Sequence, residues 1–148
     1  MLVRTTGLAD FESDVRSGKF QQFLAIATAF FALVAGGEAF FEHLRGSFCQ
    51  WVMWTPVWLS PIVAAKSVGT ALDRNVARTV LPLTSAAAIV DGLLGFYHHL
   101  NTVQEMPGGI RGNFWYNFTA GPPLFAPLLF CAVSLMGLIA SAARREGS

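Results

Sequence analysis

The feature that most constrains this chain is a series of four apolar stretches, each close to the roughly 20 residues a helix needs to cross a bilayer core. The first is FQQFLAIATAFFALVAGGEAFF (20–41), uncharged until Glu38. The second, WVMWTPVWLSPIVAAKSVGTAL (51–72), is interrupted by Pro56 and Pro61 and carries Lys66. The third runs over 80–100, and the fourth, PPLFAPLLFCAVSLMGLIASAA, over 122–143. Backbone in lipid must satisfy its own hydrogen bonds, and these stretches are too long for barrel strands, so each is expected to be a helix. Composition points the same way. The chain is 53% hydrophobic and 13% charged, with mean hydropathy +0.49, whereas soluble domains carry about 25% charged residues. The expected fold is all-α: a four-transmembrane-helix up-down bundle in one integral membrane domain, 1–148, with lipids as its first partners.

Basic residues give the orientation. Arg4, Arg16 and Lys19 precede the first stretch, Lys66, Arg74 and Arg78 flank the second connection, and Arg144 and Arg145 end the chain. Only Arg45 and Arg111 fall on the other side of a four-span bundle. The positive-inside rule then places both termini in the cytoplasm, with 1–19 as a cytoplasmic N-terminal segment. Asp10, Glu12 and Asp14 make that segment a poor cleavable leader, so the first stretch is expected to stay as a signal anchor. Net charge is +1 and there is no basic tract, so no nucleic-acid partner is expected. Cys49 lies in a connection and Cys131 in an apolar stretch, which does not suggest a disulfide.

Trp51, Trp54 and Trp58 recur at helical spacing near the outer end of the second stretch, as an interfacial aromatic belt would. The glycine-rich, aromatic connection 101–121, with Trp115 and Tyr116, is expected to lie at the outer interface. Pro122 and Pro123 suit the first turn of the last helix, while Pro127 is expected to kink it, and Pro56 and Pro61 to bend the second.

Polar residues cluster where helices one and three both end. Helix one finishes EAFFEHLRGSF (38–48) and helix three VDGLLGFYHHL (90–100). Glu38, Glu42 and Arg45 form one stripe, with Glu42 and Arg45 spaced as a structural ion pair. Asp91 and His98 share a face, with His99 turned about a quarter turn away. His43 lies well around helix one from Glu38, so the two are not expected to face one ligand. Ionisable residues within spans usually face the bundle interior and mark function.

Three chemistries fit such a cluster. Haem b could be ligated through iron by His43 and His98 or His99, with Arg45 or Arg111 meeting the propionates. A quinone site could use Asp91, Tyr97, His98 and His99 as proton acceptors and donors. A carboxylate–histidine metal site could draw on Glu38, Glu42, Asp91 and His98, although the Glu-x-x-His spacing of di-iron bundles is absent. Against all three stands a non-catalytic structural subunit that stabilises a multi-subunit assembly and binds only lipid or pigment.

The runs EHLRGSFCQWVMWTPVW, GFYHHL, MPGGIR and GPPLFAPLLF resemble a family of small four-span bacterial inner-membrane proteins, over roughly residues 38–130. Members look like companions of periplasmic flavin-linked dehydrogenases of the gluconate-dehydrogenase type. The resemblance implies a multi-pass inner-membrane anchor that passes electrons towards quinone and works with other subunits, not an enzyme on its own. It supplies no catalytic residues. The site expected to carry chemistry is His98 oriented by Asp91, with His99, His43, Tyr97, Arg45 and Arg111 around it and Glu38 and Glu42 beside it.

Overall fold

A computed structural model describes residues 3–143 of the chain, apart from the side chains at 3–6, 8, 74 and 78. Arg144 and Arg145, and the side chains of Arg4, Arg74 and Arg78, which enter the orientation expectation, lie outside the described residues. The described chain is all-helical. Helix α1 (Val3–Ser17) leads through Gly18 into α2 (Lys19–Arg45), and a 3-10 turn (Trp51–Trp54) runs directly into α3 (Thr55–Leu72). Next comes α4 (Arg74–Glu105), then two short helices, α5 (Gly109–Gly112) and α6 (Phe114–Ala120), and finally α7 (Ala126–Ala143).

The four long helices form a square up-down bundle. Helices α2 and α4 each pack on both α3 and α7, while the two diagonals scarcely touch. Side-chain contacts fix the directions. At one end Gln21 of α2 donates to the Ala143 carbonyl of α7 at 3.4 Å, and Gln22 to the Ala71 carbonyl of α3 at 3.4 Å. At the other end the last turns of α2 and α4 stand beside the first turns of α3 and α7. The first is called the closed end below and the second the open end.

The interior is built from small residues. Gln21, Ala25, Thr28, Ala29, Ala32 and Gly36 line the buried face of α2, and Ser60, Val63, Ala64, Ser67 and Thr70 that of α3. Across the bundle lie Ala77, Leu81, Ser85 and Ala88 of α4 and Phe130, Val133, Ser134, Gly137, Ala140 and Ser141 of α7. Large apolar side chains point outwards instead: Phe30 is 62% exposed while Ala32 is 0%. That arrangement inverts a water-soluble bundle and matches helices that associate in lipid by close backbone approach. Three helices, Lys19–Arg45, Asn75–Glu105 and Ala126–Ala143, are long and apolar enough to cross a membrane.

Element limits differ from expectation where capping chemistry decides them. Helix α2 runs past residue 41, so Glu42, His43 and Arg45 are helical. Helix α4 extends the expected 80–100 at both ends; at its start the Asp73 side chain accepts from the Asn75 amide at 2.8 Å, an N-cap that begins the helix early. Pro122 and Pro123 lie outside α7, and Pro127 takes its first turn. There a missing amide costs no intrahelical bond, so Pro127 starts the helix instead of kinking it. Pro56 likewise sits in the first turn of α3, leaving Pro61 inside it. The connection after α2 turns through Ser47 and Phe48, both at positive φ (58° and 47°). Left-handed non-glycine residues cost on the order of 1–2 kcal/mol each. Stacking of Phe48 on Trp54, with centroids 4.0 Å apart, offsets this and folds the connection over the open end.

Candidate functional site

The open end holds a cavity of about 480 Å³, within the range of small-molecule sites. Its floor is apolar, formed by Ala35 and Ala39 of α2, Gly92 and Gly95 of α4, and Pro127 and Phe130 of α7. Gly92 is obligatory there, because a Cβ would run into the Pro127 carbonyl and the Cys131 thiol of α7. Cys131 itself donates to the Ile89 carbonyl at 3.4 Å, which ties α7 to α4 below the cavity. An apolar plug of Ala29, Ala32, Val63, Ala64, Ala88, Phe130 and Val133 fills the bundle beneath.

The polar wall is supplied by α2 and α4. Glu38, Glu42 and His43 face the cavity from α2, and Asp91, His98, His99, Asn101, Thr102 and Glu105 from α4. Thr55, at the start of α3, lies within hydrogen-bonding reach of the Asp91 carboxyl while its hydroxyl donates to the Val52 carbonyl at 2.7 Å. Asp91 thus faces α3, and no hydrogen bond joins it to His98 among the described residues.

The two histidines that meet are His43 and His99, with ring centroids 6.3 Å apart and planes at 81°. His99 Nδ1 stands 3.0 Å from the Pro123 carbonyl. A carbonyl can only accept, so Nδ1 carries the proton, and Nε2 of the neutral ring is left with its lone pair. His43 is held differently. Its Nδ1 is enclosed without a hydrogen-bond partner among the described residues, and the ring lies beside the Met53 backbone. The ring also packs on Phe48 at 6.1 Å.

Other expected site residues fall outside this wall. Tyr97 is 57% exposed on the outer side of α4, its ring 5.9 Å from that of His98. Arg45 is exposed and pairs with Glu42, Nη1 to Oε1 2.6 Å, as its spacing predicted. Arg111 is exposed on α5. Glu38 and His43 do share the cavity, against the expectation from their angular separation, because the cavity spans more than one face of α2. Among the described residues no three His, Cys, Asp or Glu side chains stand close enough to share a metal ion.

Sequence reading missed Thr55, Asn101, Thr102, Glu105 and the Pro123 carbonyl. The expected connection begins at Asn101, whereas α4 continues through Asn101, Thr102 and Glu105. The connection itself is pinned by Asn117, fully buried, whose Nδ2 donates to the Pro107 carbonyl at 3.1 Å and the Gly109 carbonyl at 2.9 Å. Compared with known protein families, with curated proteins and with solved structures, the chain matches none.

Proposed function

We propose that this chain is a small integral-membrane subunit of an electron-transfer complex and that the open-end cavity holds the head group of a quinone. All four bundle helices cross a bacterial inner membrane, both termini are cytoplasmic, and the cavity lies at the outer leaflet. Burial of α3's polar side chains supports a fourth span: Ser60, Ser67 and Thr70 are at most 3% exposed, so the surface that α3 offers lipid is more apolar than its composition. Lys19 and Lys66 lie towards the closed end and Arg45 and Arg111 at the open end, which agrees with the charge asymmetry of the whole sequence. Exposed Trp51, Trp58, Trp115 and Tyr116 gather at the open end, as an interfacial belt or a partner contact requires.

The observation that carries the reading is the cavity itself, apolar on its floor and lined by carboxyls and histidines on its wall. A quinone ring and tail need the first, and its oxygens and protons need the second. Haem b fits less well, because the Nδ1 of His43 is enclosed and its ring packs on Phe48. In this reading electrons come from or pass to another subunit. The exposed aromatic connection is the surface for that extracytoplasmic partner, in keeping with the resemblance to companions of flavin-linked dehydrogenases.

The test is solvent extraction and quinone quantification on detergent-purified protein with whatever co-purifies, alongside a reduced-minus-oxidised visible spectrum. Stoichiometric quinone, lost when Ala39→Trp fills the cavity, is the expected result. A b-type haem spectrum that stays with this chain and disappears in His43→Ala would replace quinone by haem. Neither signal, with assembly of the partner complex still dependent on this chain, would make it a structural subunit.

A further inference from the structure

We infer that the cavity selects the reduced, hydroxyl-bearing form of its ligand, a hydroquinone, over the oxidised dione. This rests on the quinone reading above and adds to it which redox form the wall was built to hold.

The side chains on the wall are predominantly acceptors. Glu38, Glu42, Asp91 and Glu105 contribute carboxylates, and no Lys or Arg lines the cavity among the described residues. Arg45, the nearest guanidinium, is outside the lining and bound to Glu42 at 2.6 Å. The two hydroxyls that could donate are already committed to backbone carbonyls, Thr55 to Val52 at 2.7 Å and Thr102 to His98 at 3.0 Å. His99 spends its Nδ1 proton on the Pro123 carbonyl at 3.0 Å, which turns its Nε2 into one more acceptor. Among the described lining side chains, the His98 ring and the Gln50 and Asn101 amides can both donate and accept.

A ligand in this setting must bring its own donors. The two O–H groups of a hydroquinone meet carboxylate oxygen and imidazole lone pair directly. The carbonyl oxygens of a dione would face acceptors instead, giving up hydrogen bonds to water without replacing them. The apolar floor and the plug beneath it supply no side-chain donors of their own.

The experiment titrates the intact purified chain in detergent, under argon at mildly alkaline pH, with a decyl-tailed benzoquinone and separately with its hydroquinone, following tryptophan fluorescence. Hydroquinone is expected to bind at least about tenfold tighter, which raises the midpoint of the bound two-electron couple by about 30 mV per tenfold. Asp91→Asn and Glu38→Gln, which replace acceptor-only groups by amides, are expected to bring the two affinities together by improving dione binding. Their thermal melts check that the bundle is unchanged. Dione binding as tight as or tighter than hydroquinone would overturn the selectivity and leave the quinone site standing. Binding of neither form would overturn the quinone site, and this inference with it.

Discussion

His43 and His99 stand ring to ring, centroids 6.3 Å apart and planes at 81°, across the diagonal of a bundle whose α2 and α4 otherwise scarcely touch. The pair marks where the two parallel helices converge above the cavity. Each ring meets a different connection: His43 packs on Phe48 in the turn after α2, and His99 meets the Pro123 carbonyl ahead of α7. The open end is therefore assembled from both loops, and the histidines report on whether both are in place.

The pair divides the histidines by role. His99 has a fixed tautomer and a free Nε2, whereas His98, though it lines the cavity, is exposed and has no side-chain hydrogen bond among the described residues. His99→Ala should weaken hydroquinone binding about tenfold, the equivalent of one hydrogen bond of about 1–1.5 kcal/mol. His98→Ala should change it by less than that, and Tyr97→Phe not at all, since Tyr97 points away from the cavity. Fluorescence titration of the three variants separates the cases, and a larger effect from His98 than from His99 would reverse the assignment.

Close approach of α2 and α3 at the open end rests on Gly36. A Cβ added there would overlap the Ser60 side chain. Gly36→Ala should therefore cost about 1–3 kcal/mol, the usual range for overpacking. Ser60→Gly in the same chain should recover much of that loss, since it removes the atoms in the way. Unfolding in mixed micelles measures both variants and the double; costs that simply add would show that the two residues do not share one contact.

The helical architecture was legible in the sequence because lipid leaves a chain little choice of backbone: four apolar stretches became the four bundle helices. What the sequence hid is end chemistry. Asp73 as an N-cap and the continuation of α4 to Glu105 are decided by local hydrogen bonds that apolar periodicity does not register. At the site, Glu42–Arg45 pairing followed from spacing alone, and the convergence of helices one and three on one polar level followed from counting spans. That Asp91 would meet Thr55, and that His99 would meet His43, depended on helix rotation and on how two loops fold back. Neither can be read from residue order.

Asn117 pins the 107–121 connection through two carbonyls at once, so its amide orientation is settled: only the NH₂ can face Pro107 and Gly109. Asn117→Asp places a carboxylate against both carbonyls in a fully buried position and should cost more than Asn117→Ala, which merely removes the donors. The expected losses are about 1–3 kcal/mol for alanine and more for aspartate, because an unmatched buried charge is added. Protease protection of the 107–121 segment follows the change, with equal effects of the two substitutions as the contrary result.

Membrane residence gives the sharpest contrast in sign. Phe30 sits near the middle of α2, 62% exposed, on the outside of the bundle. In water, replacing it by aspartate would relieve an exposed apolar patch and favour solubility. In lipid the same change puts a carboxyl near the helix centre, at a cost of about 2.5–3.5 kcal/mol on insertion scales. Ser134→Ala provides the matched interior test. Its hydroxyl is fully buried without a hydrogen-bond partner among the described residues, so its removal should be neutral or stabilising by up to about 1 kcal/mol. A glycosylation-based insertion assay on α2 reads the first variant, and micellar unfolding of the full chain the second. Efficient insertion of Phe30→Asp would mean that this face of α2 does not meet lipid, and the outward-facing phenylalanines would then need a protein partner to cover them.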